Sequence, residues 1–246
     1  MINMFKLFAI LCSCAMFLAT TRLHAQQTPS KKTTQQLALG SIGLDKEFIL
    51  QTGFNSAALP TYSAPIKVSV RAVPFTKSKY KQFLKANKLQ ASNVTIGATD
   101  SIVKKPMYIE FNVADKIALL TALNQSENTN VKTYLKNNKS SNVLTSVAMA
   151  FNPEDFEAIM TADAVFLEES SLKTYALQLY KDGNKTALIK FNQGTVFGFD
   201  TSNCCWQENN KRQLTIVDLV NGFSACPNGT YKSANRANKK VNYFKL

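Results

Sequence analysis

Residues 143–162, VLTSVAMAFNPEDFEAIMTA, decide how this chain is read. Val143, Thr145, Val147, Met149 and Phe151 alternate with Leu144, Ser146, Ala148 and Ala150. A period of two marks a strand, and largely apolar residues on both faces put that strand in the middle of a sheet. Asn152 then stands where an N-cap is expected, its side-chain oxygen accepting a free backbone N–H. Pro153 fits the first helical position, where a missing N–H costs nothing. Glu154 and Asp155 fall at the positive end of the helix dipole. Phe151 and Phe156 have the spacing of a hydrophobic staple. Phe156, Ile159 and Met160 share one helical face. The stretch reads as a central strand that turns directly into a helix.

The same grammar occurs twice upstream. Tyr80, Phe83 and Leu84 follow Phe75-Thr76, and Ile117, Leu119, Leu120 and Leu123 follow Phe111-Asn112. The leading phenylalanines, 75, 111 and 151, lie 36 and 40 residues apart. That interval suits either a repeated supersecondary unit or three ordinary joints with good capping residues. Strands are expected over 46–50, 66–72, 93–96 and 107–113, helices over 77–87 and 114–123, and a hairpin from 131–136 to 143–151. The unit would be strand, strand, helix, three times over. Beyond Asp163 the pattern is of strands alone: 165–168, 173–181, 185–191, 195–199 and 213–219. Asp182-Gly183 is the strongest hairpin turn among them. The expected fold class is α+β: a mainly antiparallel sheet built from hairpins, about three short helices packed on one side, and a C-terminal β-meander.

Residues 1–25 read as a signal peptide. Lys6 supplies the positive start, residues 7–19 are apolar but short for a membrane span, and Leu23-His24-Ala25 precedes a cleavage point before Gln26. Leu11-Cys12-Ser13-Cys14 resembles a bacterial lipobox, which would make Cys14 a lipidation site. The apolar run continues past Cys14 and favours cleavage after Ala25. Residues 26–45 read as a flexible segment and 46–226 as one α+β domain, with a strand–helix part over 46–163 and the meander over 164–226. Residues 227–246 read as a basic tail. The expected route is the general secretory one, ending in the periplasm, at the outer membrane or outside the cell.

The 246 residues include 29 basic and 16 acidic ones. Lys6 and Arg22 are the only charges of the leader, so residues 26–246 carry 27 basic and 16 acidic residues, a net +11. The last acid is Asp218. After it come Lys232, Arg236, Lys239, Lys240 and Lys245. Such a balance suits an anionic envelope surface or an envelope protein complex as partner, although the basic residues are spread along the chain. Nucleic acid is not expected for an exported protein.

The single histidine, His24, lies in the leader. From Gln26 onward there is no imidazole for a Ser-His-Asp or Cys-His set or for a histidine metal site. No dinucleotide fingerprint, P-loop or nucleophile elbow occurs, so no cofactor or metal is expected. Glu168 and Glu169 are adjacent on a strand and face opposite ways, unlike the paired acids of a glycosidase. Gly194-Thr195-Val196-Phe197-Gly198 reads as a packing strand. Three cysteines follow the leader, and Cys226 is expected to pair with Cys204 or Cys205. The ring of about 22 residues would stabilise by roughly 3 kcal/mol. The third thiol is left over. Trp206 reads as a core residue held by that bond, or as a platform for a sugar.

No catalytic residue is assigned and the binding residues stay unassigned. The expectation is a non-enzymatic binding or accessory subunit of a bacterial envelope. The alternatives are a carboxylate-dependent polysaccharide hydrolase and a disulfide-linked structural oligomer.

Overall fold

In the computed structural model, residues 31–48, 51–96, 105–171 and 174–239 are described, so the expected leader lies outside them. The central stretch forms a strand over Ser141–Ala150 and a helix over Pro153–Met160. In chain order the strands are β1 (Lys31–Lys32), β2 (Ile42–Phe48), β3 (Gln51–Ala58), β4 (Ile66–Pro74), β5 (Met107–Val113), β6 (Ser141–Ala150), β7 (Ala164–Ser171), β8 (Thr174–Lys181), β9 (Asn184–Lys190), β10 (Thr195–Glu208) and β11 (Leu214–Asn221). The helices are α1 (Lys77–Gln90), α2 (Lys116–Asn124), α3 (Thr129–Asn137), α4 (Pro153–Met160) and α5 (Ala234–Lys239).

Every strand pairing is antiparallel. The main path runs β10-β6-β5-β4-β7-β8-β9. β1 and β11 share the far side of β10, and β2 takes over from β5 beside β6. The fold is thus a mostly antiparallel sheet with short helices, as the patterning implied. The hairpin turn between β8 and β9 is Asp182-Gly183, both at positive φ (51° and 76°), as a two-residue turn with the twist of its strands requires.

The sheet cannot be flat. Lys190 ends β9 and Thr195 begins β10, a span of five residue steps that reaches ~17 Å at most. In a flat sheet these two strands would stand six spacings apart, roughly 29 Å. The sheet therefore curls into an incomplete barrel that brings its two ends together. Its concave side holds the main core: Phe111, Val147, Met149 and Phe199 from the middle strands meet Leu177, Leu179 and Ile189 from the far end. Phe111 and Phe151 touch edge to face at 6.0 Å.

The helices do not share one side, which corrects the expected layout. The concave cluster takes Leu119 and Leu123 of α2, Leu135 of α3 and Ile159 of α4. The alternate residues Ala148 and Ala150 of β6 belong to a second, convex cluster with Tyr108, Phe197 and, from α1, Phe83 and Ala86. Phe197 reaches it through an irregular register: Val196 lies opposite Met149 and Gly198 opposite Ala148, so Phe197 has no partner on β6 and turns out toward α1. Phe75, Phe83, Tyr108 and Phe197 stack there with ring centroids 5.0–6.2 Å apart.

Other expectations fail for local reasons. Residues 131–136 are helical, not a strand, because Val131, Tyr134 and Leu135 fall on one helical face and Leu135 is buried. Residues 93–96 make no strand: Asn93 has φ 50°, and the Asn87 side chain takes both backbone groups of Val94, accepting at 3.2 Å and donating at 2.9 Å. The order strand, strand, helix is therefore not repeated three times. Nor are residues 164–226 a simple meander, since β10 leaves β9 and pairs with β6. Asn152 is the N-cap of α4, but its Oδ1 accepts from Thr95 N (2.9 Å) and not from its own helix. Within residues 26–45, read as flexible, Lys31–Lys32 pair with β10 and Leu37, Leu39 and Ile42 are buried, and within the basic tail Ala234 and Ala237 of α5 sit in the core.

Truncating Phe197 to Ala should lower stability by about 3–5 kcal/mol in denaturant titration. Leu84→Ala, on the exposed side of α1, should stay within about 0.5 kcal/mol. Equal effects would contradict the burial assigned to Phe197.

Candidate functional site: a polar recess on the convex face

Strand register sets out the convex face in rows. Arg71, Glu110, Ala148 and Gly198 lie across β4, β5, β6 and β10, and Asn112, Ser146 and Asp200 form the next row. The first row next to the α1 cluster holds a buried charge. Glu110 is fully buried, forms an ion pair with Arg71, and accepts a hydrogen bond from the Tyr108 hydroxyl at 3.0 Å. Burial raises the Tyr108 phenol well above its ordinary value, and the charge of Glu110 adds to this. From α1, Lys79 leans over the same ground. Burial lowers its ammonium, while Glu110 and Asp200 act to raise it and Lys32 to lower it.

The second row opens into a recess of about 240 Å³. Asn112, Ser146 and Asp200 line it together with Thr145, Ser202 and Asn221, and Lys116 stands at its rim. A second register shift shapes it. Asp200 lies opposite Ser146 and Thr201 opposite Leu144, so Thr145 has no partner on β10. Such a bulge re-aims a side chain, and the Thr145 hydroxyl meets that of Ser202 at 2.9 Å. Lys116 is held by Asp218 Oδ1 (2.7 Å) and the Leu219 carbonyl (3.4 Å), which fixes the start of α2 beside β11. Farther along α2, the Asn124 amide donates to Ile216 O (2.7 Å) and accepts from Ile216 N (3.1 Å), pairing with the outer edge of β11 as a strand would.

The hydroxyl of Ser146 is buried and has no hydrogen-bond partner among the described residues. Buried polar atoms are nearly always satisfied. Ser146 lines the recess, and its hydroxyl keeps unused hydrogen-bonding capacity. Two amides and three hydroxyls line the recess beside the apolar Val113, Leu119 and Leu219, with one carboxylate (Asp200) and one ammonium (Lys116). Chemically it can hold a small polar group by directional hydrogen bonds.

The residues singled out from the sequence lie elsewhere. Cys205 is bonded to Cys226, with Cα atoms 5.7 Å apart. Cys204 is the free thiol; it is buried, and burial pushes it up to about 12. Trp206 is 2% exposed and exchanges backbone hydrogen bonds with Tyr231 at 2.7 and 3.0 Å, so it is a core residue and no sugar platform. Glu168 accepts from Tyr180 (3.1 Å) and Lys185 (2.7 Å), whereas its neighbour Glu169 adds its charge to Tyr175 instead. Gly194 packs on Phe151 and the Ala150 carbonyl, where an added Cβ would come within 3 Å of both. Among the described residues no three His, Cys, Asp or Glu side chains are grouped to hold a metal ion.

The sequence marks Asn112, Thr145 and Ser146 as residues of a strand or joint and none of the recess residues as a site. Their one signal was that Ser146 and Asn112 interrupt otherwise apolar strands. Comparison with protein-family models, with curated proteins and with solved structures finds no match to the chain.

In protein lacking residues 1–25, a thiol reagent at pH 8 should find no reactive thiol in the native state and one in denaturant without reductant. With its value near 12, the Cys204 thiolate is on the order of one part in ten thousand at that pH. Rapid labelling of the native protein would contradict the burial of Cys204.

Proposed function

We infer that the chain is an exported protein of a bacterial envelope that holds a partner or ligand and does not transform it. The observation that carries this reading is the recess around Ser146, where five neutral amide and hydroxyl side chains line the wall and the Ser146 hydroxyl is buried without a partner among the described residues. Such a wall suits a polar, largely uncharged group. Among the described residues Asp200 is the one acid that lines the recess, and the acids close by are engaged, Glu110 with Arg71 and Asp218 with Lys116, which gives no support to a pair of hydrolytic carboxylates. The Cys205–Cys226 bond is compatible with an extracytoplasmic setting. Because Cys226 is used within the chain and Cys204 is buried, a thiol-linked oligomer gains no support either.

Fractionation of cells expressing the full gene, with intact-mass measurement, tests the export half. The expected result is a chain beginning at Gln26 in the periplasmic or outer-membrane fraction; a cytosolic chain that keeps residues 1–25 would contradict it. The binding half is tested by thermal shift against neutral mono- and disaccharides. At least one should stabilise the wild type and fail to stabilise Ser146→Leu, which fills the recess. No shift with any of them would count against the recess as a site for neutral polar ligands.

A further inference from the structure

Helix α1 has the composition of a docking element for a charged surface. Its fourteen residues, KSKYKQFLKANKLQ, hold five lysines and no acid. Indeed no Asp or Glu occurs anywhere from Phe48 to Thr99. At 100° per residue, Lys77, Lys81, Lys85 and Lys88 fall within one 80° arc of the helix, the arc that points to solvent, and all four are exposed. Lys79 lies outside that arc and leans toward Glu110 and Asp200. None of the four outward lysines is in an ion pair with a carboxylate of the described residues. Leu84 and Leu89 flank the arc on either side, 48% and 61% exposed.

The helix is also fixed firmly. Phe83 and Ala86 are buried against Tyr108, Ala148 and Phe197. The Gln90 amide at its end exchanges hydrogen bonds with the backbone of Val196, at 2.5 and 3.0 Å. The lysines are thus displayed by a rigid scaffold, with no ordering of the helix needed on contact. Thr76 caps the helix start, accepting from Lys79 N at 3.2 Å.

We propose that α1 docks the protein peripherally on an anionic phospholipid bilayer, with Lys77, Lys81, Lys85 and Lys88 over the headgroup phosphates and Leu84 and Leu89 entering the interface. This rests on the exported-envelope reading, for which it names the partner surface. Charge complementarity selects an anionic partner. The two exposed leucines select a bilayer over a soluble polyanion, which would leave them in water. Each lysine near such a surface is worth about fivefold in partitioning.

The test is cosedimentation of the purified protein with phosphatidylglycerol–phosphatidylcholine vesicles and with pure phosphatidylcholine vesicles. Binding is expected to the first alone, weakening steeply from 50 to 500 mM salt. The variant K77Q/K81Q/K85Q/K88Q should lose at least a hundredfold in partitioning. K136Q/K139Q/K181Q/K190Q, the same charge change at exposed sites elsewhere, should bind as wild type. L84S/L89S should bind about tenfold more weakly. Circular dichroism and a thermal melt confirm that each variant is folded. Equal loss in both lysine variants, no loss in the α1 variant, or no effect of the leucine change combined with equal binding to heparin would overturn the proposal. The assay uses purified protein, so a chain that is exported yet ignores these vesicles removes the docking inference and leaves the export reading standing.

Discussion

Four residues, 191–194, join β9 to β10, and that short link constrains everything else. It forces the two ends of a seven-strand path to meet, and only a curled sheet can do so. Curling turns one face into an enclosed apolar interior and leaves the other convex. β10 is the strand on which this closure depends. Over fourteen residues it pairs with β6 and β1 along its first half and with β11 along its second. Where its partners change, one carboxylate gathers the strands: Asp45 of β2 accepts from Lys31 of β1, from Thr201 of β10 (2.7 Å) and from Asn142 of β6 (3.0 Å). All three donors reach Oδ2 of this carboxylate, which is 14% exposed, and they offset part of the cost of burying it.

The two irregularities of the β10–β6 register have opposite consequences. The shift beside Phe197 sends an aromatic ring outward and seats α1. The shift beside Thr145 leaves a polar gap near the start of α2. A convex sheet face would ordinarily be either covered or solvated. Here α1 covers one stretch of it, and the recess follows where the cover ends. Between them stands the buried Glu110, whose ion pair with Arg71 ties β5 to β4 and which accepts from Tyr108 of its own strand. On the concave side, Tyr62 and Tyr175 pack at 5.1 Å, and burial raises both phenols above their ordinary value. Gly40 is needed beside them. Its φ is +82°, and an added Cβ would come within 2.7 Å of the Tyr62 oxygen, which leaves no room for a side chain.

Much of the strand content was legible from period-two patterning, and so were the starts of α1, α2 and α4. Thr76 caps α1 at the Phe75-Thr76 joint, whereas α2 is capped by Asp115 and not by Asn112, which stays in β5, and Asp182-Gly183 turns as its residue types demand. What escaped was non-local. Residues 131–136 fit a strand and a helix equally well over so short a window, and burial of Leu135 decided for the helix. The length of β10 was hidden because 200–208 is a polar, cysteine-bearing run without clean alternation. Its pairing with β6 lies some fifty residues away in sequence and leaves no local trace. Composition likewise marks residues 26–45 as flexible and 227–246 as a basic tail, although Leu37, Leu39, Ala234 and Ala237 fill core positions. The recess depends on a bulge, and one unpaired residue between two strands cannot be read from either strand alone.

Native-state hydrogen exchange tests the central place of β10 most directly. If the closure by β10 and β6 holds the fold together, the amides that bond between residues 146–149 and 195–200 will exchange only through global unfolding, with the full unfolding free energy. Those of β9, on the free edge of the sheet, will exchange through smaller, local openings. Slower exchange in the β8–β9 hairpin than between β6 and β10 would contradict this account.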